Sequence, residues 1–196
     1  MKPPTSVRWL ARVLTSVLTV ALCTPPATWA VDDVIGTRKA LTEAARAAVH
    51  RGDFVEIEKV GGALRLQRAR LPEGLWKSYF FAAGLVPESK AGEEQFAAWF
   101  KIMEAWAAAY PQSTLRRVAL AHGWTDYAWL ARGGGYGDTV TPEGWEKYRD
   151  RIKRARAVLE EVKDARERIP EWYAAMQTVA LAQGWNETEY WPAPEP

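Results

Sequence analysis

Residues 93–110 read EEQFAAWFKIMEAWAAAY. Within this stretch, large side chains recur at spacings of four, three and four, namely Trp99, Met103, Trp106 and Tyr110. Such spacing places these side chains on one face of an α-helix, because the helix has a period of 3.6 residues. Pro111 then stops the helix, since proline has no N–H to donate and clashes with the preceding turn. The stretch predicts a helix with one apolar face, which must pack against other helices.

The same helical pattern continues in both directions from this stretch. Proline and glycine divide the chain into helical segments at about residues 32–50, 54–72, 75–85, 93–110, 113–132, 142–170 and 171–184. Ser113 and Thr141 are suitable N-caps, and Pro142 suits a first helical position. The helix that starts at Pro142 is expected to end at Pro170. The sequence contains no alternating apolar run typical of a strand. We therefore predict an all-α fold of antiparallel helical hairpins, with six or seven helices in one domain over residues 31–190.

An internal repeat supports this architecture. The heptad VALAHGW, residues 118–124, returns as VALAQGW at residues 179–185, and the two copies differ only at His122 and Gln183. Helical pairs that end in a proline turn build solenoids of the tetratricopeptide type. The heptads lie 61 residues apart, further than the period of about 34 residues in those solenoids. We predict a tetratricopeptide-like helical repeat into which a loop rich in glycine, residues 133–137, is inserted. We call these residues the glycine loop.

The glycine loop carries a family resemblance. Residues 128–140 read AWLARGGGYGDTV and lead into a helix that starts at Pro142. This stretch resembles the centre of the bacterial domain-of-unknown-function family 4034, and Trp172-Tyr173 and Gly184-Trp185 are similar to its next segment. The resemblance covers roughly residues 45–186. It implies a tetratricopeptide-like helical protein without implying an activity, and it implies that the helix pairing with residues 171–184 is missing here or replaced by the tail.

The first thirty residues have the pattern of a signal peptide. They begin with Lys2, Arg8 and Arg12, continue with the apolar run Val13–Leu22, and end at Ala30. The apolar run is shorter than the roughly 20 residues that a spanning helix needs. We expect cleavage after Ala30, a periplasmic or secreted product with no stable membrane span, and a disordered proline-rich tail at residues 191–196.

Cys23 leaves a second arrangement open. A lipoprotein signal places its modified cysteine just after a short apolar run, and Cys23 follows such a run. Bulky Leu22 occupies the position that usually holds a small residue, so we favour cleavage. The alternative is a protein that is lipid-anchored through Cys23.

Charge and composition exclude several functions. Residues 1–30 hold three of the 26 basic residues and none of the 24 acidic ones, so the remainder carries 23 basic against 24 acidic side chains. This balance does not predict a nucleic-acid partner.

With only His50 and His122 and no cysteine outside the leader, we predict no metal and no disulfide. No phosphate-binding or serine-nucleophile motif is present, so we assign no cofactor and no catalytic residue. The basic run 149–156 is expected to form intrahelical ion pairs.

Tryptophan is unusually frequent, and nine of the eleven lie after the leader. We expect most of them to fill gaps between helices, with their N–H groups hydrogen-bonded. The alternative is an exposed groove that binds a sugar, a peptide or a partner helix.

The glycine loop is the predicted binding site, formed by Trp129, Arg132, Tyr136 and Asp138. Tyr136 could finish a turn, contact a partner, or fold back onto Trp129 and Trp145, and we favour this packing role. The leading functional hypothesis is a non-catalytic protein-interaction module in the cell envelope, with an unidentified protein partner. The alternatives are binding of a sugar or peptidoglycan fragment, and a hydrolase that uses carboxylates brought together by the fold.

Overall fold

The computed structural model describes residues 27–185 and, within them, all side chains except those of residues 27–32 and 166–168. The predicted leader (except its last four residues), Cys23 and the tail lie outside these residues. Seven α-helices make up this part of the chain: α1 (Ala27–Arg51), α2 (Phe54–Leu66), α3 (Lys77–Ala83), α4 (Glu93–Ala109), α5 (Thr114–Arg132), α6 (Pro142–Glu160) and α7 (Pro170–Gln183). Two 3₁₀ turns, Gly137–Thr139 and Lys163–Arg168, complete them. The described residues contain no β-strand, so the predicted all-α fold is confirmed.

The predicted caps explain where several helices begin. The side chain of Ser113 accepts a hydrogen bond from Arg116 N at 2.9 Å, and that of Thr141 accepts one from Gly144 N at 3.0 Å. These bonds satisfy N–H groups that a helix N-terminus leaves without partners. Two predicted helix ends were wrong. Helix α2 ends at Leu66 and not at Pro72. Pro170 does not end α6, which stops at Glu160, but begins α7. Proline suits this first position because the missing N–H would have no partner there.

Two hydrophobic cores lie on either side of α5. The N-terminal core contains Trp99, Met103 and Trp106 of α4, packed with residues of α1, α2 and α3. The C-terminal core joins α5 to residues of α6 and α7. Helix α5 contributes Leu115 and Ala119 to the first core and Val118, Ala121 and Ala128 to the second. The predicted apolar face of α4 is therefore confirmed. Helix α5 lies between the two cores and contributes residues to both.

The buried tryptophans have hydrogen-bonded N–H groups, as predicted. The Nε1 atoms of Trp99 and Trp172 donate to main-chain oxygens at 2.8 and 2.9 Å, and Trp106 Nε1 donates to the Glu58 carboxylate at 2.9 Å. Each ring contributes a large apolar area to its core without leaving a donor unpaired. Trp129, in contrast, is 45% exposed.

Helices α5 and α6 form an antiparallel hairpin. A Cβ atom on Gly144, at the start of α6, would lie 3.0 Å from the carbonyl oxygen of Ala131 at the end of α5. At the opposite end of the hairpin, Arg117 Nε lies 3.0 Å from Glu161 Oε2. The end of one helix thus contacts the beginning of the next, and the glycine loop connects them at one tip.

The two copies of the repeated heptad end differently. Gly123 lies in the middle of α5, where a Cβ atom would come within 2.1 Å of the Trp99 ring. Gly184 ends α7 in the left-handed conformation, with φ of +68°. One glycine is used for a close helix approach and the other for its backbone freedom. The tetratricopeptide-like repeat stays a prediction.

Across residues 27–185, none of the helices combines the length and the apolar character that crossing a bilayer requires.

Candidate functional site

The Arg132 side chain forms hydrogen bonds with the backbone of the glycine loop. Its Nη1 atom donates to the carbonyl oxygens of Gly133 and Gly135, at 3.1 and 3.0 Å. The guanidinium carbon also lies 5.2 Å from the ring centre of Trp129 and 5.3 Å from that of Trp145. Both distances are within the range of a cation–π contact. Arg132 therefore fixes the loop to the helices on both sides of it.

Trp145 and Tyr148 anchor this loop in the C-terminal core. Trp145 Nε1 donates to the carbonyl oxygen of Gly137 at 3.3 Å. The Tyr148 ring, almost fully buried, contacts the rings of Trp129 and Trp145 at centroid distances of 5.4 and 5.7 Å. Burial raises the pKa of Tyr148, and the positive charge of Arg132 opposes this rise. We call residues 129–145 the hairpin tip.

Tyr136 does not pack onto Trp129 and Trp145, so the packing role predicted from the sequence is wrong. Its side chain is 86% exposed, while its carbonyl oxygen accepts a hydrogen bond from Thr139 Oγ1 at 2.7 Å. Arg132 already lies over the two tryptophan rings that Tyr136 was expected to cover. The tyrosine backbone is held in a turn and its ring points into solvent.

The other predicted binding residues divide into two groups. Trp129 and Arg132 are brought into contact with each other. Asp138 is exposed in the 3₁₀ turn, and its carboxylate has no hydrogen-bond or ion-pair partner among the side chains that the structure describes. Leu130, 37% exposed, adds apolar surface beside Trp129. The hairpin tip thus combines exposed aromatic and aliphatic groups with the unpaired carboxylate of Asp138.

A second polar arrangement, which sequence reasoning missed, lies between the two cores. Glu171, in the first turn of α7, has no exposed surface, and its Oε2 atom lies 3.7 Å from Arg65 Nε of α2. Neither carboxylate oxygen has a hydrogen-bond partner among the described residues. Burial lowers the pKa of Arg65, and the nearby charges of Glu171 and Glu58 oppose that effect.

His122 of α5 lies beside this pair. Burial of the imidazole lowers its pKa, and the backbone and charge of Glu171 oppose the shift. This environment favours the neutral imidazole. Arg65, His122 and Glu171 connect α2, α5 and α7, and we call them the charged junction.

The charged junction meets one criterion for a catalytic site and fails another. A buried carboxylate beside other titratable groups is typical of active sites. However, Glu171 is sealed, and the nearby cavity of about 450 Å³ is lined by Arg65, Glu58 and residues 109–115 rather than by Glu171 or His122. No substrate atom can touch the Glu171 carboxylate in this arrangement. Its chemistry is that of a structural ion pair, which orients three helices.

No sequence signal identifies this junction in advance. Glu171 follows a proline at a helix start, where an acid is ordinary. Arg65 and Glu171 are far apart in sequence, and His122 is matched by Gln183 in the repeated heptad. Within the described residues, no three or more His, Cys, Asp or Glu side chains form a group that could hold a metal ion.

Comparison of the chain with family models, curated proteins and solved structures found no match. The resemblance to family 4034 stays a prediction.

Proposed function

We propose that this protein is an exported, non-catalytic interaction module that binds a partner protein of the cell envelope through its hairpin tip. The observation that carries the proposal is Tyr136, which is 86% exposed on a loop whose backbone Arg132 ties down. The signal-peptide pattern of residues 1–30 supports export.

An exposed tyrosine is suited to protein recognition. Tyrosine has a large contact area and only two side-chain torsions, so ordering it costs little conformational entropy. Trp129 and Leu130, partly exposed beside the loop, extend the apolar surface. Asp138, unpaired within the described residues, offers a charge that a basic group of the partner would complement. The tip therefore offers both apolar and polar groups, as protein interfaces do.

The test is crosslinking in the native host with tagged protein, followed by identification of the partner and titration of the purified pair. Tyr136→Ala is expected to weaken partner binding by at least roughly 30-fold, which corresponds to about 2 kcal/mol. Tyr79→Ala is the matched control, because Tyr79 is also exposed, at 48%, but belongs to α3. Equal affinities for the unmodified chain and Tyr136→Ala would contradict the proposal.

A sugar or peptidoglycan fragment stacked on half-exposed Trp129 is the second candidate. Titration with muramyl and chitin fragments would then change tryptophan fluorescence in the unmodified chain and not in Trp129→Leu. An unchanged signal across such a panel removes this candidate and leaves the protein partner.

A further inference from the structure

A groove of about 370 Å³ separates the second half of α6 from the end of α7. Buried Ile152 and half-buried Ala182 contribute its apolar surface. Three exposed cations of α6 also line it, namely Arg149, Lys153 and Arg156. Among the residues that the structure describes, no acidic side chain lines it. Its described lining residues do not include any of those that we assign to partner binding.

The basic residues of α6 divide into paired and unpaired ones. The predicted intrahelical ion pairs are present for Arg154, with Asp150 at 2.9 Å, and for Arg156, with Glu160 at 3.8 Å. Arg149 and Lys153 have no carboxylate within ion-pair distance in the part of the chain that the structure describes. Both line the groove, and they are four residues apart on one helix. Like charges at this spacing repel, so the fold alone gives no reason for this pair.

Gln183 adds uncharged donors to the same groove. Its Oε1 atom accepts from Arg156 Nη1 at 3.2 Å and from Trp185 Nε1 at 2.9 Å. Both neighbours can only donate, so the amide oxygen must face them and the amide nitrogen must face away. That NH₂ group has no hydrogen-bond partner among the groups that the structure describes. The Arg156 guanidinium also lies over the Trp185 ring at 4.5 Å, which holds both side chains in place.

We propose that this groove binds an oxyanion with at least two negative charges, a phosphate ester or a polycarboxylate. Arg149 and Lys153 neutralise its charge, and the Gln183 amide donates a hydrogen bond to one of its oxygens. Ile152 and Ala182 contact its carbon skeleton. Such a combination of apolar surface with a few convergent polar groups is typical of small-ligand sites.

The test is isothermal titration of the full chain at low ionic strength with inorganic phosphate, phenyl phosphate and citrate. We expect saturable binding of phenyl phosphate or citrate, tighter than that of inorganic phosphate because of the apolar contact. Whichever of the two organic anions binds more tightly identifies the ligand class. The absence of saturable heat with all three anions at millimolar concentrations overturns the proposal.

Two variants test the residues. Arg149→Gln/Lys153→Gln is expected to weaken binding by at least about tenfold, as the loss of a charge-assisted hydrogen bond does. Gln183→Glu keeps an acceptor for Arg156 and Trp185 but removes the amide donor and adds a negative charge, so it should abolish binding. The control Lys39→Gln/Lys59→Gln removes the same charge from exposed positions on α1 and α2. An equal loss in this control would show a general charge effect and would overturn the assigned site.

Discussion

The hairpin tip and the charged junction both place an arginine among aromatic or ionisable groups. The arginine at the tip has hydrogen-bond partners, whereas the one at the junction lacks some of them among the described residues. Arg132, at the tip, donates to two carbonyl oxygens and lies over two tryptophan rings. Arg65, at the junction, faces a buried carboxylate at 3.7 Å and keeps two nitrogens without hydrogen-bond partners in the described chain. The tip is built from one continuous segment, whereas the junction needs three helices from distant parts of the chain. In a local site, the loop backbone can adopt the conformation that gives each polar group a hydrogen-bond partner. At a junction between packed cores, the positions of the polar groups are set by helix packing, so some of them have no partner.

Breaking the junction should have the largest effect on stability. Glu171→Ala leaves the Arg65 charge without its counterion, and breaking a buried ion pair costs about 3–5 kcal/mol. We expect a loss of about 3 kcal/mol, at the low end of that range, because Arg65 lines an open cavity and keeps contact with solvent. Urea denaturation of both proteins measures the difference.

The double variant Arg65→Met/Glu171→Leu is the control for this prediction. It removes both charges and keeps apolar volume, so it should lose less stability than Glu171→Ala alone. If Glu171→Ala unfolds at the same urea concentration as the unmodified chain, the junction does not hold the helices together.

Part of the pH dependence of stability should also originate at the junction. The folded state lowers the pKa of His122, whose ordinary value is 6.5, so the unfolded chain binds a proton more readily. The contribution of neutral His122 is therefore complete above pH 6.5 and is lost as the pH falls through the lowered folded pKa. Unfolding midpoints at pH 7.5 and 5 should differ more for the unmodified chain than for His122→Gln, which carries the residue of the second heptad. Identical pH slopes would count against the buried imidazole.

At the hairpin tip, Arg132→Ala is expected to have a smaller effect. It removes two exposed hydrogen bonds and two cation–π contacts, which together amount to about 1 kcal/mol at a solvent-accessible site. Thermal unfolding measures the loss, and Arg132→Lys separates shape from charge. Because lysine keeps the charge but not the planar fork, it should recover only part of the stability. Full recovery by lysine would show that the loop needs only a positive charge.

The smallest change in stability is expected for Tyr136→Ala. Tyr136 precedes the 3₁₀ turn, but its side chain makes no capping bond, and the substitution of an exposed side chain without such a role stays within about 0.5 kcal/mol. The melting temperature should match that of the unmodified chain. A clear drop would restore the packing role that we had predicted from the sequence and that the exposed ring contradicts.

Features that depend on neighbouring residues in the sequence were predicted more successfully than features that depend on packing. The apolar face of α4, the Ser113 and Thr141 caps and the hairpin around the glycine loop follow from interactions within a few residues, so periodicity and turn chemistry identify them. The contact between Trp129 and Arg132 is also local, three residues apart on one helix. Tyr136 was misplaced because the side chain that covers the tryptophans could be either its own or that of Arg132, and composition does not decide between them.

What the sequence by itself determined is the set of helices, the capped starts at Ser113 and Thr141 and the position of the exposed loop, since each depends on neighbours along the chain. Only the tertiary structure decided which side of α5 faces which core, and that decision brings Arg65, His122 and Glu171 together. It also decided that Arg149, Lys153 and Gln183 face one groove from two helices. Burial and charge proximity are properties of the packed chain, because they depend on which atoms exclude water from a residue and not on which residues adjoin it in sequence.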